Sequence, residues 1–233
     1  MNIFYITNIQ GDLVTLDPLE SNHCIKVMRY KKGDQLRLID GSGGLYEAEI
    51  LDEDHKACKV VIRSKQLNFK PLPYELHIAI APTKNTDRFE WFLEKATEIG
   101  ITRITPILSA RSERKNIRMD RLEKVIISAM KQSEKAYLPS IAELIPFEEW
   151  LTEQTQGSRF IAHCMEGPKE DLWKAACSEN ITILIGPEGD FTPGELSLAL
   201  EAGFQSVSLG SSRLRTETAG VLACSAIYFK MHS

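Results

Sequence analysis

Over the first seventy residues, apolar and polar positions alternate in short bursts that predict strands rather than helices. The candidates are Ile3–Ile6, Leu13–Leu16, Gln35–Ile39, Leu45–Leu51 and Cys58–Arg63. In the fourth of these, Tyr46, Ala48 and Ile50 alternate imperfectly with Leu45, Glu47 and Glu49, as in a half-buried strand. Asp40-Gly-Ser-Gly-Gly44 is a hairpin connection. One helix interrupts the series. Pro18 opens it, Cys24, Val27 and Met28 fall on one side, and His23, Lys26, Arg29 and Tyr30 fall on or near another. Several short strands with one helix predict a small β-barrel.

Leu67–Pro73, with two prolines around Leu72, predicts a linker, and beyond it the period changes. Glu75–Ala81 is a buried strand ending at Pro82. Asp87 begins an amphipathic helix whose Phe89, Phe92, Leu93, Ala96 and Ile99 keep helical spacing up to Gly100. Arg103–Leu108 is a strand, Arg111–Arg118 a basic loop, and Asp120–Tyr137 a long helix. A strand-like piece lies between Pro139 and Pro146, a helix over residues 147–153, a strand over Ser158–His163 and a helix around Leu172–Cys177. Strand and helix in alternation predict an α/β domain with a parallel sheet. The expected division is residues 1–70 and 74–233.

The stretch from Ile181 to Ala219 repeats one pattern twice. Ile181–Ile185 is an apolar β-branched strand broken by Gly186-Pro187, and Thr192-Pro193 with Glu195 supplies the cap and first turn of a helix. Ser206–Leu209 is a second strand, Gly210–Arg215 a loop, and Thr216 begins the last helix, which is apolar on more than one side. Both loops are expected at the carboxyl ends of neighbouring strands, where open α/β sheets bind ligands. Gly186, Gly189 and Gly210 let main chain approach a flat ligand, and Arg213, Arg215 and Glu217 put charge at the rim. A P-loop and a Gly-x-Gly-x-x-Gly dinucleotide loop are both excluded by the residues that follow.

Composition sharpens this. The chain has 233 residues, 43% of them apolar, and a formal net charge of −4. Divided, Arg103–Lys135 has nine basic and four acidic residues, +5, leaving −9 elsewhere; Lys26, Arg29, Lys31 and Lys32 form a second basic cluster. Two basic patches on an acidic body suit a protein that meets phosphates at a defined place. Five scattered cysteines without a Cys-x-x-Cys pair predict reduced thiols in the cytoplasm. The adjacent His163 and Cys164 point to opposite faces of a strand, so no metal site is expected. No apolar run is long enough to span a membrane, and no export signal is expected.

Ile185-Gly-Pro-Glu-Gly189, followed by Leu209-Gly210 and Arg215-Thr-Glu-Thr-Ala219, resembles the paired signature of the SPOUT superfamily of RNA methyltransferases. Within it the chain resembles the RsmE family. His23-(x)3-Val27-Met-Arg29, Glu94–Gly100, Ile104-Thr-Pro106 and Arg111-Ser-Glu113 follow in that family's order. The resemblance implies a PUA-like RNA-binding barrel at the amino end and a SPOUT α/β domain with a trefoil knot at the carboxyl end. It also implies a homodimer packed through the knot, and S-adenosyl-L-methionine as cofactor. The implied reaction is methylation of uridine N3 in 16S (small-subunit) ribosomal RNA. The implied cofactor pocket uses His163, Ile185, Gly186, Gly189, Leu209, Gly210 and Leu214. Asp190 departs from the family's glycine, Lys131–Lys135 replaces a Glu-Gln pair followed by arginine, and the family's amino-terminal arginine is absent.

For such chemistry a fixed cation would stabilise the charge that spreads over O2 and O4 as N3 loses its proton, and Arg215 is the first choice. Glu217 is the candidate proton acceptor, although a carboxylate in a first helical turn also serves the dipole. Arg111, Arg114 and Arg118, with Lys26 and Arg29, are assigned to RNA phosphates. Two other readings remain: another SPOUT RNA methylation, such as 2′-O-ribose transfer to tRNA or rRNA, and a non-catalytic ribosome-assembly factor that binds RNA.

Overall fold

The computed structural model describes residues 2–7, 9, 11–152 and 156–232. The chain divides into two compact units, residues 1–71 with 127–138, and residues 72–126 with 139–233.

The first unit is built on β1 (Ile3–Tyr5), β2 (Leu13–Thr15), β3 (Gln35–Ile39), β4 (Leu45–Asp52) and β5 (Lys59–Gln66). They form one sheet in the order β1-β3-β4-β5-β2, with β1 parallel to β3 and the other pairs antiparallel. Tyr46, Ala48 and Ile50 are buried as their spacing predicted, and register shifts at Glu47/Ala48 and Ile50/Asp52 bend β4 against β5. Phe4, Leu36, Leu38, Ile50 and Val60 form the core.

The helix of this unit is not uniform. Helix α1 (Pro18–Asn22), capped by Asp17, winds into a π-helix over His23–Val27. The wider turn shifts the phase of everything after it. Cys24 is buried as expected, but Val27 and Met28 are exposed, so the expected apolar side does not continue. The amide of Met28 reaches back to the carbonyl of His23, and Arg29 leaves the helix with φ of 60°. Residues 127–138 complete the unit: Met130 and Ala136 pack with Ile3 and Ile39, and Lys131 pairs with the buried Glu20.

The second unit contains β6 (Glu75–Ile80), α2 (Thr86–Ile99), β7 (Arg103–Leu108) and α3 (Met119–Gln132, whose last residues belong to the first unit). It continues through β8 (Ser140–Ile141), β9 (Ile145–Pro146), α4 (Phe147–Leu151), β10 (Ser158–Ala162), β11 (Glu170–Asp171) and α5 (Leu172–Ala175). The chain then forms β12 (Asn180–Ile185), α6 (Pro193–Glu201), β13 (Gln205–Ser208) and α7 (Thr216–Met231). The sheet is parallel, in the order β11-β13-β10-β12-β6-β7-β8, with β9 also on β7. Strands β6 and β12 are buried at five of six positions, as central strands covered on both faces must be.

Three expectations about this unit change. Helix α3 stops at Gln132, not Tyr137, because Ser133 turns its hydroxyl onto the helix and Glu134 adopts φ of 53°. Helix α4 ends at Leu151, and Glu153, the expected end, lies outside the described residues. Strands β12 and β13 are not neighbours, since β10 lies between them and pairs with both.

One sheet face holds Ala79, Ile107, Phe147, Trp150, Ile161, Leu184, Phe191, Ala199 and Phe204. On the α7 side, that helix packs on α2, β6 and β12. A Cβ at Gly220 would stand 2.5 Å from the Phe92 ring, so the close approach of α7 to α2 requires glycine there. The opposite side of α7 leaves Leu222 and Phe229 exposed. Among the described residues no helix is long and apolar enough to cross a membrane.

Candidate active site

Strand β10 fixes the geometry. Its last residue, Ala162, is in register with Ile185 of β12 on one side and Val207 of β13 on the other. Three parallel strands therefore end at one level, and the three loops that leave them enclose a cavity of about 620 Å³. Ala162, Ile185, Val207, Leu209, Leu214 and Ala219 give it apolar walls, while the loops supply main chain and a few charges.

Of the residues implied for the pocket, His163, Ile185, Gly186, Leu209, Gly210 and Leu214 line this cavity. Gly189 is outside the lining: a Cβ there would meet the Arg111 side chain at 3.3 Å, and its carbonyl accepts a hydrogen bond from Arg111 Nη1 at 2.9 Å. At Gly186 a Cβ would stand 3.1 Å from the Phe191 ring, so a side chain there would require that ring to give way. Gly210 has φ of 116° and open space around it.

Of the loop after β10, from His163 to Lys169, the sequence resemblance places only His163 in the pocket. The signal for the rest is weak, since nothing in its spacing shows that β10 inserts between the two signature strands. His163 Nε2 shares a hydrogen bond with Ser206 Oγ at 2.9 Å, and its Nδ1 is buried without a partner. Burial, and then the nearby Lys169, hold its pKa below the usual histidine value, with Asp190 partly opposing. The ring is therefore neutral near pH 7. Lys169 Nζ donates to the carbonyls of His163, at 2.9 Å, and Met165.

Asp190 occupies the position that departs from glycine, at φ of 61°. Aspartate tolerates that conformation better than most residues, and here it bridges two loops. One carboxylate oxygen accepts from the amide of Cys164 at 2.8 Å, the other from the amide of Phe191 at 2.9 Å. Beyond it, Thr192 and Glu195 form a reciprocal capping box on α6. Glu195 also accepts from the amide of Ala110 at 2.7 Å, which fastens the basic loop to that helix.

The two catalytic candidates sit differently from each other. Arg215 is exposed, directly after cavity-lining Leu214, at the N-cap position of α7. Glu217 is buried instead of standing at the rim; it faces Arg88 of α2 at 3.8 Å, its other oxygen has no partner, and it is outside the cavity lining. Arg111 and Arg114 are engaged with main chain, Arg114 Nε donating to the carbonyl of Thr83 at 3.0 Å. Arg118 is exposed and pairs with Asp120. Lys26 and Arg29 are exposed on the first unit. Among the described residues no group of three histidine, cysteine or acidic side chains converges as a metal site would need.

Residues 70–228 match the family described as RNA methyltransferase domain, and residues 16–63 match RNA methyltransferase PUA domain. A crystal structure of a probable rRNA methyltransferase from Porphyromonas gingivalis is 42% identical, with a TM-score of 0.92 over 100% of this chain and 99% of that one. The Ribosomal RNA small subunit methyltransferase E of Rickettsia conorii is 32% identical over 88% of this chain and 85% of its own length. The enzyme of that name from Neisseria gonorrhoeae, crystallised bound to S-adenosyl methionine, is 28% identical with a TM-score of 0.85, covering 97% and 96%.

Proposed function

The chain belongs to the RNA methyltransferase family of the ribosomal RNA small subunit methyltransferase E proteins, and from that premise we propose that it methylates N3 of a uridine in 16S ribosomal RNA. S-adenosyl-L-methionine is the proposed donor. The observation that carries this is the cavity at the ends of β10, β12 and β13, with apolar walls, main-chain groups and a few charged side chains. A ligand with a flat heterocycle and a polar tail fits such a lining.

When bound, the donor supplies an already activated methyl group, so transfer forms the N3–C bond, breaks the S–C bond and releases the N3 proton to solvent. The protein's work is to hold both partners in line and favour the ionised base. Gly186, kept in place by the hydroxyl of Thr216, and the open Gly210 give the donor its seat. The guanidinium of Arg215 stabilises charge on O2 and O4 more as N3 ionises than before. The pairing of Glu217 with Arg88 and its place outside the cavity favour fixing the first turn of α7 over accepting the proton. Arg111, Arg114 and Arg118, with Lys26 and Arg29, are the proposed phosphate contacts, Arg111 and Arg114 through the donors their main-chain bonds leave free.

The same reading makes residues 1–70 a PUA-like barrel and 74–233 the SPOUT domain. A trefoil knot is supported by topology: β13 lies beyond β10, yet the following helix packs on β12 and β6, so the chain must cross back past the end of β12. Exposed Leu222 and Phe229, two turns apart on α7, support a homodimer. The site of action would be the cytoplasm, on small subunits. The test is transfer of labelled methyl to subunits lacking the modification, with the product mapped by mass spectrometry. N3-methyluridine is expected; methyl on ribose, or no transfer, would overturn the reading.

A further inference from the structure

One cation in the cavity lining, Lys169, has no ion-paired carboxylate among the described residues. Lys169 Nζ carries three donors. Two go to the carbonyls of His163 and Met165, which hold the ammonium in place without cancelling its charge. Its stem is part-buried in the cavity wall. Its field is felt at His163, whose protonation it disfavours. A surface lysine would leave such a group to water. This one is fixed by main chain, beside a cavity whose other charged lining residues are Glu188, Asp190 and Arg213, with one N–H unspent.

The geometry points to Lys169 as the residue that binds the carboxylate at the amino-acid end of the methyl donor. This rests on the donor reading above. The donor's two ends differ in kind: a flat, largely uncharged nucleoside and a zwitterionic amino acid. The apolar walls of Ile185, Leu209 and Leu214 suit the first, and the loop after β10 suits the second. Asp190, hydrogen-bonded to Cys164 in that same loop, places a negative charge close to Lys169's loop. A zwitterion meets both signs there. An RNA phosphate would meet the lysine favourably but the aspartate unfavourably, so the amino-acid end is the better match.

Calorimetry on the full chain tests this with two ligands, S-adenosylhomocysteine, which has the amino-acid end, and 5′-methylthioadenosine, which lacks it. Wild type should prefer the first. Lys169→Met should weaken S-adenosylhomocysteine by about tenfold or more, the size expected for a hydrogen bond to a charged group. It should leave 5′-methylthioadenosine affinity unchanged, which also shows that the variant's site is folded. Lys169→Arg should restore part of the loss. Equal losses for both ligands would mean that Lys169 only shapes its loop, and would overturn the inference. Unchanged affinity for both would overturn it too, as would a loss confined to RNA binding. Wild type that binds neither ligand would overturn the donor reading itself.

Discussion

The hydroxyl of Thr216, buried at the start of α7, donates to the carbonyl of Gly186 at the end of β12, 3.0 Å away and thirty residues earlier in the chain. The two signature loops are thereby fastened to each other, although their strands are separated by β10. Thr216→Val keeps the shape and removes the donor. It leaves a buried carbonyl without its partner, a loss of about 1–3 kcal/mol. Chemical denaturation should show that loss, and calorimetry a weaker donor complex. Unchanged values in both would mean that Gly186 does not depend on this bond.

Asp190 gives a second test of loop coupling. Its carboxylate joins the loop after β12 to Cys164, and its backbone lies in the left-handed region. Asp190→Gly removes the bridge but suits that conformation, whereas Asp190→Ala removes the bridge and adds strain of about 1–2 kcal/mol. Both variants should bind S-adenosylhomocysteine more weakly, and thermal unfolding should find the alanine variant less stable than the glycine one. If the glycine variant binds as wild type does, the bridge does not hold the cavity's shape.

Local signals made most elements legible beforehand. The Thr192 cap of α6, the stop of α2 at Gly100 and the alternation in β4 are set by side chains within a few residues of one another, whereas α2 begins at Thr86 under an Asn85 cap, one residue before Asp87. The failures lie where distant parts decide. Nothing in the spacing of β12 and β13 reveals that β10 inserts between them, so the sequence pattern does not mark the loop holding Lys169 and Met165. The π-helix at His23–Val27 shifted Val27 and Met28 out of the expected face, a change that regular helical spacing cannot represent. Glu217 read as a rim charge because its partner, Arg88, is on another helix. Gly186 and Gly210 stand out from the loops alone, while His163, Ile185, Leu209 and Leu214 enter the cavity lining only through the resemblance.

His77 makes stability depend on pH. It is buried on β6, bonded to Thr105 Oγ1 at 2.8 Å and edge-on to Trp150, and burial followed by the charge of Arg103 lowers its pKa to about 3. Above the unfolded value of about 6.5 both states are neutral and its contribution is fully present. Between there and about 3 the unfolded chain takes up a proton that the folded one refuses, so stability falls as pH falls. The slope from this group approaches about 1.4 kcal/mol per pH unit. Urea unfolding between about pH 7.5 and about pH 4.5, on either side of the unfolded value of about 6.5, should show a shallower acid slope in His77→Gln than in wild type. Identical slopes would place the acid sensitivity elsewhere.

Arg215 and Glu217 are two residues apart but differ in exposure and partner, so their variants should differ in kinetics. Arg215→Ala removes an exposed guanidinium beside the cavity while leaving the lining untouched. Turnover should fall roughly a hundredfold or more, as when a transition-state donor is lost, with donor affinity nearly unchanged. Near-normal turnover would end the electrostatic role. Glu217→Gln keeps the shape but removes the charge opposite Arg88. If Glu217 only fixes that helix start, the rate should fall uniformly across pH. If it accepts the N3 proton, the variant should instead lose the acid limb of the pH–rate profile. The Arg88 pairing and the absence of Glu217 from the cavity lining predict the uniform fall, and Arg88→Ala should then reproduce the Glu217→Gln profile. A proton acceptor would give no such match, because removing its partner would leave the carboxylate in place and more basic.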